Sequence, residues 1–327
     1  MSVHAGSGDR LPSGTRDVLP DEMRELRAMT DRIRGVFERA GYGEVHTPAL
    51  EYERQPDAAA AWPMPAYRLF DEHGNVLVLR SDMTVPIARL VATRYASAPV
   101  PLRFSYVAHA YRSVAPKRGQ SREFLQAGIE LIGERAPRGS AEALTVLCES
   151  LLAAGLRDFR IGLGDATVYP ALLASHGIGP DRAQRILTQL AAGNFVGVAS
   201  ELREARLGAQ DEKLLLRVPR TRGGPEVLEH TGTPLREATA GLRDLYGLLA
   251  PAIAERVVFD LGLVRNLSYY TGAVFRAYDP AHGVPIGGGG QYDDLLAQFG
   301  RPLPAVGFGL AVELLHAALM GEERGRG

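Results

Sequence analysis

The chain is short of lysine, cysteine and tryptophan, and it has no long apolar run. Its one cysteine, Cys148, excludes an internal disulfide and fits a reducing compartment. No stretch approaches the roughly eighteen uninterrupted apolar residues of a membrane-spanning helix, so no membrane partner is expected. Residues 1–10 carry no apolar core; they read as a flexible tail rather than a secretory signal, and the expected location is cytoplasmic. The cations are almost all arginine, with Lys117 and Lys213 the only lysines. Together with the abundant alanine and glycine, this reads as the bias of a GC-rich genome, so the arginines are not by themselves a sign of phosphate binding. A net charge of −1 without a basic run offers little to a nucleic-acid backbone, so no tRNA partner is expected. The eight histidines show no metal-ligand spacing, and Gly287–Gly290 lacks the Lys-Ser/Thr of a phosphate loop. No metal and no cofactor is expected, and the glycine run reads as a tight connection between strands.

What is present is most informative at Ser121–Gly133. Leu125, Ala127, Ile129 and Leu131 alternate with Gln126 and Glu130, which is the period of a strand with one apolar face. The other face repeats hydrogen-bonding groups at i and i+4, as a strand does beneath a ligand or against water. Elsewhere the pattern predicts a helix from about Asp21 to Ala40, with Met23, Leu26, Met29, Ile33, Val36 and Phe37 on one stripe and Gly41 as its stop. A strand is predicted at Val45–Leu50, a loop at Asp57–Pro65, and a hairpin of Tyr67–Phe70 with Val76–Leu79 around His73-Gly74-Asn75. A helix is expected from Pro86 to about Ala96, strands at Leu102–Arg112 and Arg122–Ile132, and a helix capped by Ser140 and ending near Gly155. Residues 171–256 read as a helical insertion. Strands return at Val257–Leu261, Tyr269–Tyr278 and Ala305–Leu310, before a short terminal helix. Strands joined by hairpins and loops, with helices outside, predict an antiparallel α+β domain over residues 11–320.

Five separated motifs line up in order. They are Ser13-Gly14-Thr15-Arg16-Asp17; Gly41-Tyr42 with Thr47-Pro48 and Glu51; Leu79-Arg80-Ser81-Asp82-Met83-Thr84; Tyr111-Arg112 through Arg122-Glu123-Phe124-Leu125-Gln126; and Leu263 through Gly272, which contains Tyr269-Tyr270. This series resembles the catalytic domain of class II histidyl-tRNA synthetases over about residues 10–318. The resemblance implies a six-stranded antiparallel sheet flanked by helices, a dimer built on the first helix and the following strand, and a histidine pocket on the sheet. It places Asp82 and Thr84 at the α-amino group, Arg265 at the carboxylate, and Gln126, Glu130, Tyr269 and Tyr270 around the amino acid and its imidazole. Arg112 stands open between holding the pocket together and binding a carboxylate. A zwitterion needs an anion and a cation, and an imidazole needs a partner at each nitrogen, so these residue types suit L-histidine.

The departures bear on the nucleotide. Where the synthetase pattern has a glutamate and a second arginine in the motif 2 loop, this chain has Val114 and Gln120. Leu314 stands where the triphosphate arginine is expected, and Gln291 stands where an arginine precedes the tyrosine. No C-terminal counterpart of the synthetase anticodon-binding domain is expected. Asp82-Met83-Thr84 and Gln126–Gly133 resemble more closely the synthetase-like regulatory subunits of short-form ATP phosphoribosyltransferase. That resemblance implies a non-catalytic subunit in a hetero-oligomer, which switches on the catalytic subunit at the first step of histidine biosynthesis and transmits feedback inhibition by histidine. Two alternatives stay open: a truncated enzyme with residual histidine activation, and a binding module that no longer takes histidine.

Overall fold

The computed structural model describes residues 11–53, 66–113, 121–229, 235–236, 239–263 and 270–326. Helix α1, Pro20–Arg39, opens on a proline that needs no hydrogen-bond partner at a first turn, and closes before Gly41 at φ +83°. Its buried stripe is Leu26, Met29, Ile33, Val36 and Phe37; Met23, predicted to belong to it, is exposed at the solvent end. The predicted strand Val45–Leu50 does not form. Strand β1 is Gly43–Glu44 and strand β2 is Leu50–Tyr52, with irregular backbone between them. There the Arg80 guanidinium donates to the Thr47 carbonyl, and on its other side to the His109 carbonyl at 2.8 Å. A buried arginine therefore takes the bonds that a continuous ladder would have used.

The hairpin forms as predicted from β3, Arg68–Phe70, and β4, Val76–Leu79, antiparallel with Phe70 opposite Val76. Asp71 closes its turn by accepting from the His73 and Asn75 N–H groups, and Gly74 supplies φ +81°. With β2 these strands make a small sheet in the order β2-β4-β3. The predicted loop at 57–65 lies wholly outside the described residues, as does most of the segment between the next two strands.

Helix α2, Thr84–Arg94, starts two residues before the predicted Pro86, because Asp82 Oδ1 accepts from the Val85 N–H at 3.2 Å in the first turn. The long hairpin strands β5, Leu102–Tyr111, and β6, Glu123–Ile132, pair over their whole length. Helix α3, Arg138–Ala154, begins two residues before Ser140, which therefore caps nothing and has a buried hydroxyl without a partner. Gly155 ends it at φ +114°, as expected, and Cys148 lies in the core.

The largest correction concerns the main sheet. Among the described residues it has nine strands rather than six, in the order β1-β5-β6-β12-β11-β10-β7-β9-β8, and two of its pairings, β1 with β5 and β7 with β9, are parallel. The further members are β7, Arg160–Asp165; β8, Arg222–Gly223; β9, Val257–Asp260; β10, Ala273–Tyr278; β11, Pro285–Gln291; and β12, Ala305–Ala311. The glycine run predicted as a connection is thus strand β11, in the interior of the sheet. Between β7 and β9 the expected helical region forms, including Val168–Ser175, Pro180–Ala191, Phe195–Glu204 and Ala209–Arg217. It also contributes the edge strand β8. The terminal helix, Val312–Arg326, is longer than predicted.

The two faces of the sheet differ. One carries Ala127, Ile129, Leu131, Val306, Phe308 and Leu310 into a continuous core with α1 and α3. The other receives Met83, Ile87, Ala88 and Val91 from α2 against Phe104, Tyr106, Ala108, Ile132 and Tyr292. Beside that second cluster lies the polar row of β6.

Candidate functional site

Two neighbouring rungs of the sheet build the site. In the first, Phe104, Glu130, Gly307, Gly290, Val274 and Gly164 stand side by side from β5 to β7. In the second the order is Tyr106, Gly128, Gly309, Gly288, Arg276 and Gly162. Paired residues in an antiparallel ladder point to the same side. Most of these positions have no side chain, so the polar groups of β6 and the rings beside them lie down across the neighbouring backbone. A Cβ on Gly307 would meet Glu130 Oε2 at 1.8 Å, and one on Gly309 would meet Gln126 Nε2 at 2.0 Å. The ring of Tyr270 covers Gly290, whose added Cβ would stand 2.7 Å from it.

Glu130 is the centre, with 1% of its surface exposed. Thr84 Oγ1, from the first turn of α2, donates to Glu130 Oε1 at 2.7 Å, and the Tyr292 hydroxyl donates to Oε2. Burial pushes the carboxyl up to about 8; the two hydroxyls oppose that shift and the nearby Asp82 adds to it. Asp82 is itself buried, and loss of water drives its carboxyl upward against the pull of the Val85 N–H and of Arg112. The phenol of Tyr106, fully buried, is raised well above its ordinary value by burial and then by the charges of Glu130 and Asp82. Arg112 lies 4.4 Å over the Phe124 ring, within electrostatic reach of Asp82.

Asp82 Oδ2 and Gln126 Oε1 are buried without a hydrogen-bond partner among the described residues. Both are acceptors. A buried unmatched acceptor costs about 1–3 kcal/mol, so a ligand that brings N–H groups to these positions recovers that cost. An ammonium or an imidazole does so; a carboxylate or phosphate cannot.

Of the predicted residues, the structure brings Asp82, Thr84 and Glu130 into one cluster, with Gln126 further along the same face and Tyr270 over β11. Arg265 and Tyr269 lie outside the described residues. Tyr106 and Tyr292 were not singled out from the sequence. Their signal was parity: each shares a sheet face with Glu130 once the strand partners are known. At the far end, Leu314 packs partly buried against the main core, and its neighbour Glu313 accepts from the Leu125 N–H at 2.9 Å. Gln291, in place of an arginine, donates through its amide to Asp293. Both positions are spent on structure.

A histidyl-tRNA synthetase family profile matches residues 14–315. The ATP phosphoribosyltransferase regulatory subunit of Desulforamulus reducens is 38% identical over 316 residues, 95% of this chain and 79% of that one. The one from Symbiobacterium thermophilum is 41% identical, covering 96% of this chain and 80% of its own. The chain belongs to the family of ATP phosphoribosyltransferase regulatory subunits. A solved structure from Bacillus halodurans, described as an ATP phosphoribosyltransferase regulatory subunit/histidyl-tRNA synthetase, superposes with a TM-score of 0.87 at 35% identity, covering 96% of this chain and 84% of that one. The histidyl-tRNA synthetase of Nostoc, at 21% identity, TM-score 0.78 and coverage of 96% and 76%, shares the fold. Members of this regulatory family thus keep the class II synthetase architecture, and in this chain that architecture carries buried, unpartnered acceptors on one sheet face.

Among the described residues no helix is long and apolar enough to cross a membrane, and no group of histidine, cysteine and carboxylate side chains is placed to hold a metal ion.

Proposed function

We propose that this chain is the non-catalytic, cytoplasmic regulatory subunit of a short-form ATP phosphoribosyltransferase, and that L-histidine is its ligand. The observation that carries the reading is the pair of buried, unpartnered acceptors, Asp82 Oδ2 and Gln126 Oε1, beside a Glu130 held by two hydroxyls. In this reading Asp82 and Thr84 take the ammonium, Glu130, Tyr269 and Tyr270 surround the imidazole with Gln126, and Arg265 takes the carboxylate. Arg112 holds Asp82 in place. The chain forms a dimer and joins the catalytic subunit in a hetero-oligomer. The loss of cationic side chains at 291 and 314 supports the absence of nucleotide activation.

Regulation then requires histidine to favour one arrangement of the hetero-oligomer over another, by a coupling of about 1–3 kcal/mol. The test mixes purified catalytic subunit with this chain and follows phosphoribosyl transfer. Activity is expected only with both subunits, with inhibition by L-histidine. The Glu130→Ala, Arg265→Ala double variant should still activate but lose the inhibition. Equal activity of the catalytic subunit alone, or histidine-dependent exchange of pyrophosphate into ATP by this chain alone, would contradict the reading.

A further inference from the structure

Two buried carboxyls, Asp82 and Glu130, lie within electrostatic reach of one another, and among the described residues neither lies within ion-pair distance of a cation. Among the described residues, the groups that face Glu130 or feel its charge are hydroxyls and phenols, apart from Asp82 itself. Thr84 comes from α2, Tyr106 from β5 and Tyr292 from just past the end of β11, while Tyr270, over β11, acts on the Tyr106 phenol. Tyr42, bound to Glu142, feels the charge more weakly, and Arg112 acts on Asp82. Two like charges at such a site are costly, and a proton on one of them removes the cost.

We propose that Glu130 stores a proton before histidine binds, and that this same proton becomes the one shared with the imidazole in the complex. The inference rests on the reading of histidine as ligand and adds how its binding responds to pH. In the step, the O–H bond of the Glu130 carboxylic acid breaks and an N–H bond forms on the imidazole. A neutral acid and a neutral base become a buried ion pair, with no proton exchanged with solvent. Each neighbouring hydroxyl either donates or accepts, so Thr84 and Tyr292 serve both forms of the carboxyl.

Three regimes follow. Below the imidazole's own pKa, about 6.5, histidine arrives as imidazolium and the stored proton is released. From there to about 8, the value to which burial lifts Glu130, binding exchanges no proton with solvent. Above it, Glu130 is already ionised and binding takes up a proton. Affinity is therefore highest in the middle window and falls on both sides.

The test is titration calorimetry of L-histidine into the intact protein, in buffers of different ionisation enthalpy, across that range. Heats independent of buffer near pH 7, with a proton taken up near pH 8.5, are expected. Glu130→Gln should lose the uptake that belongs to the carboxyl, while any contribution from the ligand's ammonium persists in both proteins. The same profile in wild type and Glu130→Gln would overturn the proposal while leaving histidine binding intact. No saturable histidine binding at any pH would overturn both. Infrared spectroscopy of the wild type without histidine reads the proton directly: a protonated-carboxyl band at pH 7 that weakens in Glu130→Gln is expected, and equal bands would refute the stored proton.

Discussion

Strand β6 has two faces that obey different rules. Ala127, Ile129 and Leu131 are fully buried in one apolar core cluster with residues of α1 and α3. Glu130 is equally buried, yet on its side the sheet is floored with glycine and the partners are hydroxyls. Burial alone therefore does not distinguish core from site. The difference lies in what each buried group still needs. The apolar face is complete as it stands, whereas the polar face retains acceptors that no described residue satisfies.

The sharpest way to break this contrast is to exchange the consequences of substitution on the two faces. Ile129→Ala should cost about 2–5 kcal/mol of stability by chemical denaturation, with histidine affinity of the folded fraction little changed. Gly307→Ala should cost somewhat less, about 1–3 kcal/mol, because the new methyl group meets Glu130 Oε2 and stands 2.5 Å from the Ile129 carbonyl. Unlike the first variant, it should also abolish histidine binding, as calorimetry would show.

A pH series sharpens the comparison further. The folded Glu130 carboxyl is raised to about 8, far above its unfolded value, so the fold favours the neutral form. Its stabilising contribution is complete below the unfolded pKa of about 4.3 and is lost as pH rises through about 8. Asp82, also raised, and Asp279, lifted to about 6 by burial and by Glu322, act in the same direction. Glu130→Gln should therefore remove the part of the stability decline that extends furthest toward pH 8, while the part belonging to Asp279 remains. Thermal melts between pH 5 and 9 would show it, and a variant with the wild-type slope throughout would contradict the site's electrostatics. The smallest effect belongs to the other side of the sheet. Glu142, paired with Arg103 and holding the Tyr42 hydroxyl, is partly exposed, so Glu142→Gln should cost no more than about 1 kcal/mol.

Much of this contrast could be read from the chain before the fold was known. The alternation of β6 gave both faces, and the resemblance of the motifs placed Asp82, Thr84 and Glu130 together. Strand β11 was missed because Gly287–Gly290 lacks the β-branched and aromatic residues that mark strands, and glycine in a strand has meaning only when a neighbour lies across it. Tyr106 and Tyr292 were missed for a related reason. A tyrosine in an alternating strand looks like core until the register puts Tyr106 beside Gly128 and Gly307 beside Glu130. The break between β1 and β2 was hidden because its cause, Arg80, is distant in sequence. Sheet order and the two parallel pairings are long-range facts that local periodicity does not contain.

Gln126→Ala tests the central claim most directly, since it removes one unmatched acceptor from the polar face and touches nothing on the apolar one. Equilibrium titration with L-histidine should give one saturable site in the wild type and at least about tenfold weaker binding in the variant, a loss of roughly 1.4 kcal/mol. Equal affinity in the two proteins would contradict the account.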